Sequence, residues 1–329
     1  MAGDWVISDS DKELFRRELD SFVPDRIFDV HAHLYDLSQF SGDPPAFLKS
    51  GPHSAGFDTF RSQMDLIHPG RTCDGLFFGF PHIAIDIDAA NRFVTSEAIR
   101  SRVSRAQMLI RPTMSAEEVF TTVKRDRFSG LKCYHVYAAD HPTFDAPIST
   151  YLSEDHVRVA NELGLSITLH MVRARALADA SNQETIRRYC MTYPNIRLIL
   201  AHAARGFNPH HTIEGIDSLQ GLDNVWFDTS AVCESAAFEA ILRAFGPRRL
   251  MYGSDFPISH MRARCVGVGD SFLWISAENT RLDAGYGRVQ PIPIALESLR
   301  ALRLACRDLK DTGIEAIFYR NAAELYEPH

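Results

Sequence analysis

The feature that most constrains this fold is an alternation, repeated along nearly the whole chain, of a short apolar run and a longer polar-faced stretch with helical spacing. The runs are Arg26 to Val30, Gly75 to Phe80, Ala106 to Arg111, Gly130 to Tyr134, Ser166 to His170, Arg197 to His202, Val225 to Asp228 and Leu250 to Gly253. Helix-like segments lie between them, among them Ala89 to Arg102, Ser115 to Lys124, Ser153 to Leu163, Asn182 to Cys190 and Ala237 to Phe245, with Ser153 placed as an N-cap. Eight such units close more naturally into an α/β fold of the (β/α)8 TIM-barrel kind than into an open sheet. The 329 residues suit one barrel domain carrying long loops after strands 1 and 8.

Those loops are the two places where the repeat is broken. Residues 34–71 hold Gly42, Pro44, Pro45, Gly51, Pro52 and Gly56, and read as an insertion after the first strand. Residues 258–293 follow the eighth strand, with Gly267, Gly269, Gly285, Gly287, Pro291 and Pro293 around the apolar Phe272 to Ile275. In a barrel both would overhang the face made by the strand C-termini, where active sites are built, so both are lid candidates. The apolar Phe272 to Ile275 run could also pack against a second copy of the chain.

Composition excludes several partners. A net charge of −7 argues against binding a nucleic-acid backbone, which calls for a basic face. Apolar runs such as Leu76 to Phe80 fall far short of the ~18 residues that span a bilayer. The charged stretch from Met1 to Asp20 is unlike a signal peptide, so a cytoplasmic protein without a membrane partner is expected. Six scattered cysteines without CxxC spacing indicate reduced thiols.

Chemistry gathers at the ends of the strands. His31 and His33 close the first run in Asp29-Val30-His31-Ala32-His33, and residues two apart on a strand share a face and can share an ion. An HxH pair is also an ordinary polar strand end. What raises its weight is the rest of the set: His170 closes the fifth run, His202 the sixth, and Asp255 follows the eighth. Imidazole and carboxylate donors without thiolate suit Zn²⁺ first, with Mn²⁺ or Fe²⁺ as alternatives.

With these residues in place the chain resembles the amidohydrolase superfamily, in the amidohydrolase-related branch that includes aminocarboxymuconate-semialdehyde decarboxylase-like enzymes. The matching pieces run in order from Asp29-Val30-His31-Ala32-His33 through Gly130-Leu131-Lys132, Leu169-His170, Leu200-Ala201-His202 and Asp228-Thr229-Ser230 to Gly253-Ser254-Asp255-Phe256-Pro257 and Tyr319-Arg320-Asn321. The resemblance implies one divalent metal ion on His31, His33, His170 and Asp255, with His202 near it or on it. It also implies metal-dependent hydrolysis of an amide or lactone, with Asp255 as general base and then acid and His202 stabilising the oxyanion. The rival reading on the same scaffold is a non-oxidative decarboxylase or other lyase. A non-catalytic binding protein is a third, disfavoured because all five candidate positions are present.

Two departures fall where substrate would bind: Cys133-Tyr134-His135 after Lys132, and Ala203-Ala204-Arg205 where many relatives carry glycines. Lys132 has three readings, a carbamylated metal bridge, a substrate contact or an outward-facing strand lysine. Arg205 and Arg173 are placed to fork onto a substrate carboxylate, so a small anionic substrate is expected. Asp228 reads either as a strand-end cap or as a partner of a ligand.

Overall fold

The computed structural model describes residues 5–279 and 290–326. All eight expected strands form: β1 (Arg26–Asp36), β2 (Thr72–Gly79), β3 (Arg105–Leu109), β4 (Gly130–Cys133), β5 (Ser166–Leu169), β6 (Arg197–Leu200), β7 (Val225–Asp228) and β8 (Leu250–Met251). Each pairs in parallel with the next. The ring closes where the chain after β8 meets β1: Val30 N–H donates to Tyr252 C=O at 2.9 Å, Asp255 N–H to His31 C=O at 2.9 Å and His33 N–H to Phe256 C=O at 2.7 Å. The result is a (β/α)8 barrel.

Eight helices follow the strands: α1 (Phe57–Ile67), α2 (Ile87–Ala98), α3 (Ala116–Asp126), α4 (Glu154–Leu163), α5 (Ala180–Thr192), α6 (Pro209–Gly215), α7 (Ser235–Phe245) and α8 (Ile294–Ala305). Ser153 caps α4 as its position suggests, its hydroxyl accepting the His156 N–H. Outward-facing strand residues such as Ile27, Phe77, Leu131, Ile167 and Phe227 pack beneath these helices. Phe28, Val30, Leu76, Ile199 and Met251 fill the barrel interior. The last helix, Asn321–Tyr326, plugs the end opposite the site: Tyr326 stacks on Phe28 and its hydroxyl donates to Ser166 Oγ at 2.9 Å.

Two expectations need correction. β6 stops at Leu200, because from His202 the backbone turns left-handed and cannot continue a ladder. Residues 34–71 are not simply an insertion: 34–36 extend β1, and Phe57, Phe60, Met64 and Ile67 form the buried face of α1, the first crossover helix of the barrel. Within 258–279 the chain forms an antiparallel hairpin of β9 (Ala263–Val268) and β10 (Ser271–Ser276) that turns at Gly269, whose φ of 57° suits glycine. Gly285 and Gly287 lie outside the described residues. Among the described residues no helix is long and apolar enough to cross a membrane.

Two histidines under the N-terminal segment make stability pH-dependent. Burial, reinforced by the Arg71 charge, pushes His68 down to about 3, and burial pushes His260 down to about 4. The unfolded chain takes up these protons as pH falls through ~6.5, whereas the fold refuses them until pH 3 to 4. Stability is therefore full above pH ~6.5 and is lost progressively below it, at ~1.4 kcal/mol for each unit of depression. Urea unfolding at pH 7, 5 and 4 checks this, and His68→Phe should shallow the pH slope. An unchanged slope in that variant would refute the assignment.

Candidate metal centre

A β-bulge builds the site. Asp29 pairs with Gly75 and Ala32 with Phe77, so β1 spends three steps against two on β2. Below the bulge Phe28 and Val30 face the barrel interior, and above it Ala32 and Leu34 join the outer core, which turns His31 and His33 into the mouth. The Asp29 carboxylate holds this irregularity, accepting the His31 N–H at 3.0 Å, the Ser254 N–H at 2.9 Å and the Ser254 hydroxyl at 2.5 Å. It thereby ties β1 to the segment that carries Asp255. Burial pushes the Asp29 carboxyl up to about 7 despite these bonds. Gly253 completes the local requirement, because a Cβ there would stand 2.9 Å from the His31 Cβ.

His31, His33 and Asp255 converge. Asp255, at φ 64°, aims its Oδ1 to 3.4 Å from His31 Nε2 and 3.4 Å from His33 Nε2. Both rings donate through Nδ1, His31 to Asp228 Oδ2 at 2.9 Å and His33 to Gly79 C=O at 3.1 Å, which leaves both Nε2 lone pairs facing Asp255. Four ligands at zinc-like bond lengths in a tetrahedron stand ~3.4 Å apart, the spacing found between Asp255 and each imidazole. The three buried residues can hold a metal ion. Burial would raise the Asp255 carboxyl, but the His33, His31 and His202 imidazoles around it outweigh burial and hold Asp255 well below the usual carboxylate range. Asp228 is likewise held down, to about 2.

His170, expected as a fourth ligand, stands outside this group and pairs instead with His202, Nδ1 to Nε2 at 2.9 Å. Its place lies just past the β5 ladder, where its ring packs 4.5 Å from that of Tyr134. Tautomers follow from the partners. Ser230 Oγ gives its proton to Asp228 Oδ1 at 2.5 Å, so it accepts from His202 Nδ1 at 2.9 Å, and His202 Nε2 must then accept from His170. In this tautomer both His202 ring nitrogens are engaged by protein partners, and the nitrogen left open in the pair is His170 Nε2. Burial, then the neighbouring cations, press His170 well below its ordinary range.

Lys132 is neither outward-facing nor in the wall of the cavity. Its ammonium lies fully buried beneath the site, 3.1 Å from His31 Nε2 and 4.4 Å from the Phe78 ring centre, and burial lowers it to about 8. Arg205 does line the cavity. It ends four consecutive left-handed residues, His202 to Arg205 with φ between 51° and 59°, anchored by the His202 N–H on Asp228 Oδ1 and by Arg205 Nη1 on Met171 C=O. Arg173 does not reach the cavity: its own left-handed turn, φ 76°, sends the side chain to an ion pair with Asp179. Asp228 proves to be both cap and partner, holding the His31 ring and the His202 backbone together. Ser230, Phe144 and Phe207 were not foreseen. A polar residue two places after Asp228 was the one available signal, for Ser230.

Above these groups opens a cavity of about 730 Å³ whose floor includes His31, His33, His170, His202 and Asp255. Phe272 and Trp274 of β10 reach into it and meet Phe207 at 5.1 and 5.5 Å between ring centres, so the hairpin forms part of the wall. Residues 34–71 do not line it.

Solved structures share the architecture. A probable 2-pyrone-4,6-dicarboxylic acid hydrolase from Acinetobacter baumannii, solved with citric acid bound, is 15% identical with a TM-score of 0.57, over 91% of this chain and 98% of that one. An amidohydrolase from Burkholderia multivorans with bound zinc is 14% identical at 0.56, over 91% and 98%. The 5-carboxyvanillate decarboxylase of Sphingomonas paucimobilis is 11% identical at 0.52, over 92% and 99%. These similarities carry the barrel fold, and the neighbours are enzymes of more than one reaction class. No curated protein matches the chain. The family model described as amidohydrolase matches residues 28–327, from the strand that bears the histidines to the closing helix, and the chain belongs to that family.

Proposed function

We propose that this protein is a metal-dependent hydrolase that cleaves a C–N or C–O acyl bond, an amide or lactone, in a small carboxylated molecule. The observation that carries the reading is the convergence of His31 Nε2, His33 Nε2 and Asp255 Oδ1 on the floor of a largely apolar cavity. A divalent ion held by these three, Zn²⁺ first, would supply Lewis acidity and bring a water's pKa from ~15.7 towards ~7. Asp255, held ionised, takes the proton of the attacking water and returns it to the leaving group. Asp228 keeps His31 in the Nδ1–H tautomer and, through Ser230, does the same for His202. His170 presents its open Nε2 to substrate as an acceptor. Arg205 binds the substrate carboxylate.

A panel of lactones, amides and unsaturated or aromatic carboxylic acids, incubated with metal-loaded protein, tests the reaction class. Acid release from a lactone or amide is expected. CO₂ release from an acid without lactone or amide turnover would replace hydrolysis by decarboxylation.

A further inference from the structure

We infer that the cavity takes a monocarboxylate with a flat, apolar body, its carboxylate on Arg205 and its ring between Phe144 and Phe272. The inference rests on the reading of this cavity as the substrate site and narrows the substrate to one chemical class.

Arg205 is only 8% exposed, yet among the described residues it has no carboxylate partner; its hydrogen bond goes to the Met171 carbonyl at 3.2 Å. A guanidinium has five N–H donors, and burying its charge without a counter-ion is costly, so an anion delivered from the cavity would relieve a deficit already built into the fold. What flanks the guanidinium decides the rest of the ligand. Phe144, from the loop after β4, and Phe272, from the hairpin, stand with ring centres 5.9 and 5.6 Å from the guanidinium carbon. Phe207 continues the wall from Phe272 back to His202, at ring distances of 5.1 Å on each side. A planar ring bound edge-on to Arg205 would lie along these faces with its far end above Asp255 and His170.

The same wall selects against other anions. The hydroxyl groups of a polyol acid lying along Phe272 and Phe207 would exchange water for apolar ring faces. A second carboxylate would find no second lysine or arginine among the described lining residues.

Calorimetric titration of the metal-loaded protein tests this, with 2-naphthoate, 2-naphthamide, naphthalene-2,6-dicarboxylate and D-gluconate as probes. 2-Naphthoate should bind at least tenfold tighter than each of the others. Arg205→Gln should weaken 2-naphthoate tenfold or more and leave 2-naphthamide unchanged. Phe272→Ala, on the partly exposed hairpin and safe for the barrel, should weaken 2-naphthoate and 2-naphthamide by a similar factor. Gluconate or the dicarboxylate binding as tightly as 2-naphthoate, no 2-naphthoate binding, or 2-naphthoate binding unmoved by Arg205→Gln would each overturn the inference. Because binding is read without turnover, a protein that proved to release CO₂ would sink the hydrolase reading and leave this result standing.

Discussion

His31→Ala should strip metal and activity together, whereas His202→Ala should lose turnover and keep its metal. His31 Nε2 stands 3.4 Å from Asp255 Oδ1, and no other side chain can supply that lone pair from the same bulge. We expect metal affinity to fall more than 100-fold and kcat/KM by roughly a thousandfold or more, equivalent to ~4 kcal/mol of transition-state stabilisation. His202 spends both ring nitrogens on protein partners, Nδ1 on Ser230 and Nε2 on His170, so its loss releases His170 rather than the ion. Turnover should drop ~10²- to 10³-fold with metal content unchanged. Deleting His31 also leaves Asp228 buried without its imidazole, and an unstable variant would be uninformative. His33→Ala provides the second test, since its Nδ1 partner is the Gly79 carbonyl and no buried carboxylate is orphaned. Equal metal loss on removing His202 and His33 would place His202 among the ligands and undo the tautomer assignment.

Much of this site could be read in the sequence because its elements announce themselves by period. The eight apolar runs, and five ionisable residues at the ends of four of them, located the barrel and its working rim without any contact information. What stayed hidden depended on single departures from period. The pairing slip between Asp29 and Ala32 decides that His31 and His33 face inward, and HxH spacing alone says only that they face together. Asp228 at the end of β7 looks the same as a cap whether or not a histidine arrives from β1, because its partner is nearly two hundred residues away in sequence. Arg173 and Arg205 both follow strand-end histidines by three residues, yet one meets Asp179 and the other the cavity. The left-handed turns that separate their fates are made of arginine and alanine, where glycine would have signalled them. The α1 helix was masked by the glycines and prolines that precede it, although Phe57, Phe60, Met64 and Ile67 carry helical spacing.

Removing the metal is the second large effect and the most direct test of the account. Three donors are preset by outer partners at Asp228, Gly79 and the His31 carbonyl, so the apo protein should remain folded and ready to rebind. Dialysis against a strong chelator, followed by elemental analysis and assay on whichever lactone or amide the panel identifies, should give a folded protein with activity reduced by at least ~10³-fold. Titrating Zn²⁺ or Mn²⁺ back should restore activity in proportion to occupancy, saturating near one ion per chain. Full turnover in rigorously metal-free protein would contradict the claim that His31, His33 and Asp255 form a catalytic metal centre.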